Sequence, residues 1–473
     1  MSTGMHRKRP SNSSLQWHTR RSEWAALVAA LALFTTIASQ LEPRELDLAV
    51  YWQAAQRIFV DGIEPYTRPD DRGLPFTYPP TAFLLLWPLA GRTLEQAAAL
   101  MWPLNLALAV AVIWLLPRDL ARQAEVPGIA ASPSLLPLAA RNMASRRLLI
   151  WGPVYIASFG GLYLTLYFQQ VNLLLLVCLW GFWRVLRQAG ATPAATLPRD
   201  PLGLLTAGAS LALGSIAKPH FGLLGLGALG CLRHGRRPGP GAGLVLGAAI
   251  GGAALLWLSL ALAPAGSWQA WVDQILANTS LTTLPPGHSS IAAPWNRSIA
   301  GEVARWLVPN KFTHIVAASP AAAGWITNAL VLTLALITAF ALLGSLRLRA
   351  RRCRTGLGAA DPLAVDLELS LLSTWVFLAA PASWTHHLVL LLPAALVLLR
   401  DAVLDPRARG FTKLAAGLVL AVLALTLDDL IPREIRTASH ALMSLMTVAV
   451  IGLWALLLEQ LLAHNASARR ARP

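Results

Sequence analysis

The chain repeats long apolar runs of roughly 16 to 26 residues, each close to what a tilted helix needs to cross a hydrocarbon core of about 30 Å. Backbone N–H and C=O groups in lipid must pair within their own segment. That requirement leaves membrane-spanning helices as the fold class, and the loops between them as the place for chemistry.

Composition agrees. Of 473 residues, 55% are hydrophobic and only 13% charged, with mean hydropathy +0.53, above the usual range for soluble domains. The reading is an all-α polytopic membrane protein, one integral membrane domain over residues 1–473. The formal charge of +16 raises nucleic acid as a partner. The basic residues, however, form short clusters between apolar runs instead of one basic face, so the partner they imply is the lipid bilayer and no nucleic acid is expected. Cys178, Cys231 and Cys353 are too few and too scattered for a disulfide framework or a CxxC metal site. Arg7, Lys8, Arg9, Arg20 and Arg21 ahead of Trp24 to Leu41 have the outline of a signal peptide; the long leading region and the spans that follow favour an uncleaved first span.

About twelve spans are expected, over residues 22–41, 95–116, 148–168, 171–187, 202–217, 219–233, 242–263, 321–346, 365–380, 384–400, 411–427 and 436–463. Basic clusters at Arg141, Arg146 and Arg147, at Arg233, Arg236 and Arg237, at Arg347 to Arg354 and at Arg469 to Arg472 then fall on one side, the cytoplasmic one by the positive-inside rule. This makes 1–21 and 464–473 cytoplasmic tails in the plasma membrane. Residues 42–94 become a first external loop, with juxtamembrane helices at Asp47 to Val60 and Pro79 to Ala90, and 264–320 a second large external loop. The parity depends on Thr81 to Ala90, which is apolar but too short for a span.

Under this topology the unusual polar residues gather at the external face: Asp47, Tyr66, Tyr78, Gln169 to Asn172, Lys218 to His220, Asn296 to Arg305, and His386 with His387. Each has a plainer reading. Asp47 beside Arg44 and Glu45 fits a solvated loop carboxylate as well as a base. Lys218 fits a snorkelling residue as well as an anion ligand, although an ammonium between apolar helices requires a partner or water. His386 and His387 fit a helix start, Arg305 an amphipathic face, and Tyr51, Trp52 and Tyr78 an aromatic belt. Asp70-Asp71 and Asp428-Asp429 are adjacent, unlike a DxD site, and the Glu45-x-Asp47 spacing alone is weak evidence for metal. No Walker loop, HExxH or GxSxG motif occurs.

Taken together, Asp47-x-x-Val50-Tyr51-x-x-Ala54-Ala55 with Gly62-x-x-Pro65-Tyr66, Phe76-x-Tyr78-Pro79-Pro80, Gln170-Val171-Asn172, Lys218-Pro219-His220, Asn296-Arg297-Ser298-Ile299-x-Gly301-x-x-x-Arg305 and Ser383-Trp384-x-His386-His387 resemble glycosyltransferase family 87. These are GT-C enzymes dependent on polyprenyl-phosphate sugars, typified by mannosyltransferases of actinobacterial phosphatidylinositol mannosides and lipoglycans. The family commonly has Gly-Gln where this chain has Gln169-Gln170, and often Gln where Arg297 stands.

The resemblance implies transfer of a mannosyl residue from a polyprenyl-phosphate donor to a glycolipid or lipoglycan acceptor, with inversion. Asp47 is then the general base, and Lys218, His386, His387 and Arg305 hold the departing phosphate. Tyr51, Tyr66, Tyr78, Gln170, Asn172, His220 and Asn296 fill substrate-binding roles. No nucleotide, cofactor or metal is implied. A polyprenyl-phosphate arabinofuranose donor is the alternative within the superfamily. A lipid-linked-sugar flippase or other transporter is the alternative from another class, although transporters usually keep ionisable residues near the midplane.

Overall fold

Among the described residues seven helices are long and apolar enough to cross a membrane: Arg21–Ala38, Leu94–Ala121, Pro240–Leu262, Pro320–Arg351, Pro362–Ala379, Thr385–Val403 and His440–Arg470. An eighth crossing is formed if Met143–Ala157 and Gly160–Tyr167, which meet at a 42° bend, count as one broken span. The chain is therefore a polytopic helical membrane protein. The computed structural model describes it apart from residues 1–11, 68, 71–72, 123–137, 192–200, 235–236, 279–280, 282–286, 314, 356–361, 427–434, 436–438 and 471–473. Asp71, Asp428 and Asp429, weighed above, lie outside the described residues.

In chain order the helices are α1 Asn12–Ala38, α2 Leu46–Phe59, α3 Phe83–Leu86, α4 Leu94–Arg122, α5 Leu138–Ala157, α6 Gly160–Tyr167, α7 Asn172–Ala191, α8 Pro201–Gly214, α9 Pro240–Leu262, α10 Ser267–Asn278, α11 Ile299–Leu307, α12 Pro320–Thr355, α13 Pro362–Ala379, α14 Leu392–Leu398, α15 Gly410–Leu425 and α16 His440–Arg470. Short 3-10 turns flank α3, a 3-10 helix runs over Pro219–Cys231, and another over Thr385–Leu391 leads into α14. A two-residue antiparallel pair, β1 Arg233–His234 with β2 Arg237–Pro238, turns the chain into α9.

Within the described residues each of the twelve expected spans coincides with helical structure, but not all have spanning length. At about 1.5 Å per residue α8 and α15 are about 21 and 24 Å long, less than a full hydrocarbon core. Helix α16 also continues to Arg470, through most of the segment expected as a tail, and α1 begins at Asn12. The second large loop contains α10 and α11, which hydropathy alone does not reveal.

Helix α13 is the centre of the bundle, with all but a few of its residues buried. It brings two carboxylates into that interior. Asp366 meets Arg187 of α7 at 2.6 Å and Arg400 at 2.9 Å, and accepts from Trp183 Nε1 at 3.0 Å. Glu368 accepts from Arg349 Nε of α12 at 3.0 Å. Ions taken from water into such an interior need close partners, and these pairs fix which faces of α7, α12 and α13 meet.

Helices α8 and α9 pack backbone to backbone. A Cβ on Gly208 would lie 2.2 Å from the Leu244 carbonyl oxygen, and one on Gly247 2.2 Å from that of Leu205. Small residues permit this approach between apolar helices that gain little from burying more hydrocarbon. The close pair supports the turn after α8, where Lys218 sits.

Candidate active site

Asp47 stands in the first turn of α2, and the start of that helix is docked on α6 by the Arg44 N–H to Tyr167 carbonyl bond, 2.9 Å. Just beyond α6 the chain turns through Gln169, whose φ of 51° is in the left-handed region. That region disfavours residues with a Cβ, so the position suits the glycine common in the resembling family. The turn delivers the Gln170 amide to Asp47, where Nε2 donates to Oδ2. Asn172 Nδ2 in turn donates to Gln170 Oε1 at 2.9 Å, which fixes the amide's orientation.

Burial raises the Asp47 carboxyl to about 6, against the lowering effects of the Gln170 hydrogen bond and the Lys218 charge. A carboxylate so poised is ionised at neutral pH and more basic than one in water, as a general base requires.

Lys218 owes its position to Pro219. A residue before proline is disfavoured in the α region, and Lys218 has φ −136° and ψ 76°, ending the helical path between α8 and the 3-10 helix. Its Nζ lies 2.9 Å from His387 Nε2 and 5.3 Å from the centre of the Tyr78 ring. The other nitrogen of His387, Nδ1, accepts from the Trp384 backbone N–H at 3.3 Å. A neutral imidazole has one acceptor nitrogen, so its proton is then on Nε2, facing Lys218. That arrangement suits a neutral amine, and burial lowers Lys218 to about 7, with the charge of Asp47 acting in the opposite direction. Next to it the His386 ring packs edge-on to His387 at 4.4 Å and to Phe168 at 5.7 Å, and its buried Nε2 has no partner among the described residues.

The aromatic residues of the first loop link these groups. Tyr51 and Tyr78 stack at 5.4 Å with their hydroxyls 2.9 Å apart, and Tyr66 donates to the Tyr78 carbonyl at 2.8 Å. Thr81 Oγ1 donates to the Ile216 carbonyl at 2.7 Å, tying the segment after Tyr78 to the Lys218 turn. Burial pushes the Tyr51, Tyr66 and Tyr78 phenols above their ordinary value, so they act as neutral hydrogen-bonding groups.

Two expected site residues, Arg305 and Asn296, are engaged by protein groups. Arg305 ion-pairs with Glu302 at 2.6 Å and donates to the carbonyls of Ala293 and Asn296 at 3.0 and 2.9 Å, so its guanidinium is engaged within its own loop instead of with Lys218 and His387. Asn296 donates to the carbonyls of Ile291 and Pro381 and accepts from the N–H groups of Ser298 and Ser383, which uses its amide for folding instead of substrate. His220 lies exposed beside Phe221, close enough to Lys218 and His387 for electrostatic interaction with both.

What the Asn296 segment does is hold the histidines. Arg297 N–H donates to the Ser383 carbonyl at 2.7 Å and Thr385 N–H to the Trp295 carbonyl at 2.9 Å, around a single β-bridge between Asn296 and Trp384. Arg297 Nε adds a 3.1 Å bond to Thr385 Oγ1. Trp384, Thr385 and Gln169 are positioning residues; the sequence names Gln169 and Trp384 without giving either this role, and Thr385 is marked only by standing at the unspecified position of a motif word, since each acts mainly through its backbone. Among the described residues no three His, Cys, Asp or Glu side chains gather as a metal-holding group.

The sequence matches the profile of glycosyltransferase family 87 over residues 76–374, more than half of the chain. The chain belongs to glycosyltransferase family 87. Nothing among the curated proteins or the solved structures matches it. This family 87 glycosyltransferase is thus a membrane-embedded transferase that works with a sugar donor and an acceptor. Tyr78, Gln170, Asn172 and Lys218 lie inside the matched segment, whereas Asp47, Tyr51 and Tyr66 precede it and His386 and His387 follow it. The fold joins the two sets: Gln170 holds Asp47, and Lys218 meets His387.

Proposed function

We propose that this glycosyltransferase transfers a mannosyl residue from a polyprenyl-phosphate donor to a hydroxyl of a glycolipid or lipoglycan, on the external face of the plasma membrane and with inversion at the anomeric carbon. The supporting observation is that a carboxylate raised by burial and a lysine–histidine pair come from distant segments to one site, near enough for Asp47 and Lys218 to shift one another. Twelve crossings with both termini cytoplasmic would put the loops 42–94 and 264–320, and the turns at Gln170, Lys218 and His387, on that face.

In this scheme the acceptor hydroxyl gives its proton to Asp47 as its oxygen forms the bond to the anomeric carbon. The bond from that carbon to the phosphate oxygen breaks, and the electron pair leaves with the polyprenyl phosphate. A lipid phosphate departs as a stable anion, so no second carboxylic acid is needed to protonate it, unlike the alkoxide of a glycosidase. Positive charge and N–H donors suffice, and Lys218, His387 and His386 supply them in a site drier than bulk water. Arg305 and Asn296 position the loop and are left out of the binding set. No metal or cofactor enters the scheme.

The test is product analysis by mass spectrometry, with purified protein offered polyprenyl-phosphate mannose or polyprenyl-phosphate arabinofuranose and a panel of glycolipid acceptors. Mannosylated lipid is the expected product. Pentosylated lipid would move the donor assignment to arabinofuranose, and movement of intact donor across sealed vesicles without any product would replace transfer by transport.

A further inference from the structure

Helices α12 and α16 part to leave a cleft of about 730 Å³. At about 1.5 Å per residue Gly344, in its wall, is about 36 Å along α12 from Pro320. Beside Pro320, Ser319 donates its N–H to the Leu307 carbonyl at the end of α11, the helix that follows the Asn296 segment bridged to Trp384, so the cleft lies about a bilayer's thickness from the candidate active site. Nothing in the transfer scheme uses it.

Its lining divides in two. One part is cationic: Arg347 and Arg351, one helical turn apart on α12, and Arg469 on α16, with no acidic side chain among the described lining residues. Arg349, between the first two, faces the other way into its pair with Glu368. The second part is apolar and outward-facing, with Phe340 78%, Leu343 50% and Leu462 46% exposed. Between them stands Asn465, only 5% exposed, whose buried Oδ1 has no hydrogen-bond partner among the described residues. An unpaired acceptor so buried is costly unless a ligand donates to it. Gly344 leaves room at this point, since a Cβ there would already touch Arg469 Nη2 at 3.7 Å.

We infer that this cleft binds an anionic phospholipid of the leaflet opposite the active site. The phosphate lies among Arg347, Arg351 and Arg469, a headgroup or glycerol hydroxyl donates to Asn465 Oδ1, and the acyl chains run along Phe340, Leu343 and Leu462 toward the bilayer core. Guanidinium groups match phosphate oxygens in charge and fork geometry. Basic pockets between membrane helices are a general form of headgroup site. A soluble anion satisfies the arginines but leaves the exposed apolar wall unaccounted for, so the amphiphile is the occupant the lining fits.

The experiment uses purified full-length protein in detergent and reads lipid binding alone, so it is independent of the transfer scheme. Native mass spectrometry and thermal shift compare phosphatidylglycerol, phosphatidylcholine and inorganic phosphate. The expected result is preferential retention of phosphatidylglycerol and a higher melting temperature with it than with phosphatidylcholine. R347Q combined with R469Q should reduce retention at least tenfold. Gly344→Leu keeps every charge, favours the helix and fills the cleft, and should reduce retention similarly in a protein that folds. Equal retention of the two phospholipids, retention unchanged in Gly344→Leu, or equal stabilisation by inorganic phosphate would overturn the inference.

Discussion

The amide of Gln170 donates to the carboxylate of Asp47 across 123 residues of sequence, and Asn172 holds that amide in place. A carboxylate tethered from one side keeps its other oxygen for an incoming hydroxyl. Asp47→Asn retains size and hydrogen bonding but cannot take a proton. It should lower the single-turnover transfer rate by about 10² to 10⁴ while leaving expression and melting temperature near wild type. Near-normal turnover in this variant would remove Asp47 from the mechanism.

Gln170→Leu removes a hydrogen bond that lowers the carboxyl's pKa, so the base should protonate at higher pH. The acid limb of the kcat/KM profile is then expected above that of wild type. An unmoved limb would mean that the bond is not made in the working enzyme.

In wild type the same profile should be a narrow bell. Asp47 must be ionised to accept a proton, so activity falls as pH drops through about 6. Lys218 must be charged to hold an anion, so kcat/KM falls again as pH rises through about 7. Once the donor phosphate is bound it favours the ammonium, and the alkaline limb of kcat should lie above that of kcat/KM. Coincident alkaline limbs would argue against a Lys218–phosphate contact.

Lys218→Ala should raise the donor KM more than the acceptor KM, because its charge is assigned to the phosphate. Lys218→Arg restores a cation that stays protonated and should remove the alkaline limb of the pH profile, whatever its effect on rate. Donor and acceptor titrations of both variants distinguish this from a structural lysine.

Gln169→Gly relieves a left-handed backbone at a residue with a Cβ and should raise stability by about 1 kcal/mol, whereas Gln169→Val should lower it. Thermal melts in one detergent measure both. Equal melting temperatures would show that the turn relaxes at no cost.

Much of this was readable in sequence because hydrophobic run length and single odd polar residues are strong signals. The apolar runs located every helical crossing candidate, and Lys218 before Pro219 announced a charged break between two apolar helices. What escaped was whatever depends on partners. The close approach of α8 to α9 at Gly208 and Gly247 is one such feature, which a hydropathy window does not register. Arg305 and Asn296 looked like ligands because they are polar residues in a motif, and only the loop 291–298 and the strand-like pairing at Trp384 reveal that they face protein. The two contacts that orient His387, a bond accepted from the Trp384 N–H and one made to Lys218, are likewise invisible until the chain is folded.

The carboxylates of α13 also impose an order on assembly. When α13 leaves the ribosome, Arg187 and Arg349 have already been synthesised, so both Asp366 and Glu368 meet a counter-charge on entering the membrane. Arg400 comes later and completes the Asp366 site. A nascent chain stopped just past Ala379 should therefore hold α13 against α7 and α12, and replacing Arg187 by Met in that chain should return α13 to lipid. Site-specific crosslinking of arrested chains reads this directly: in this molecule a late helix is retained by charges laid down before it.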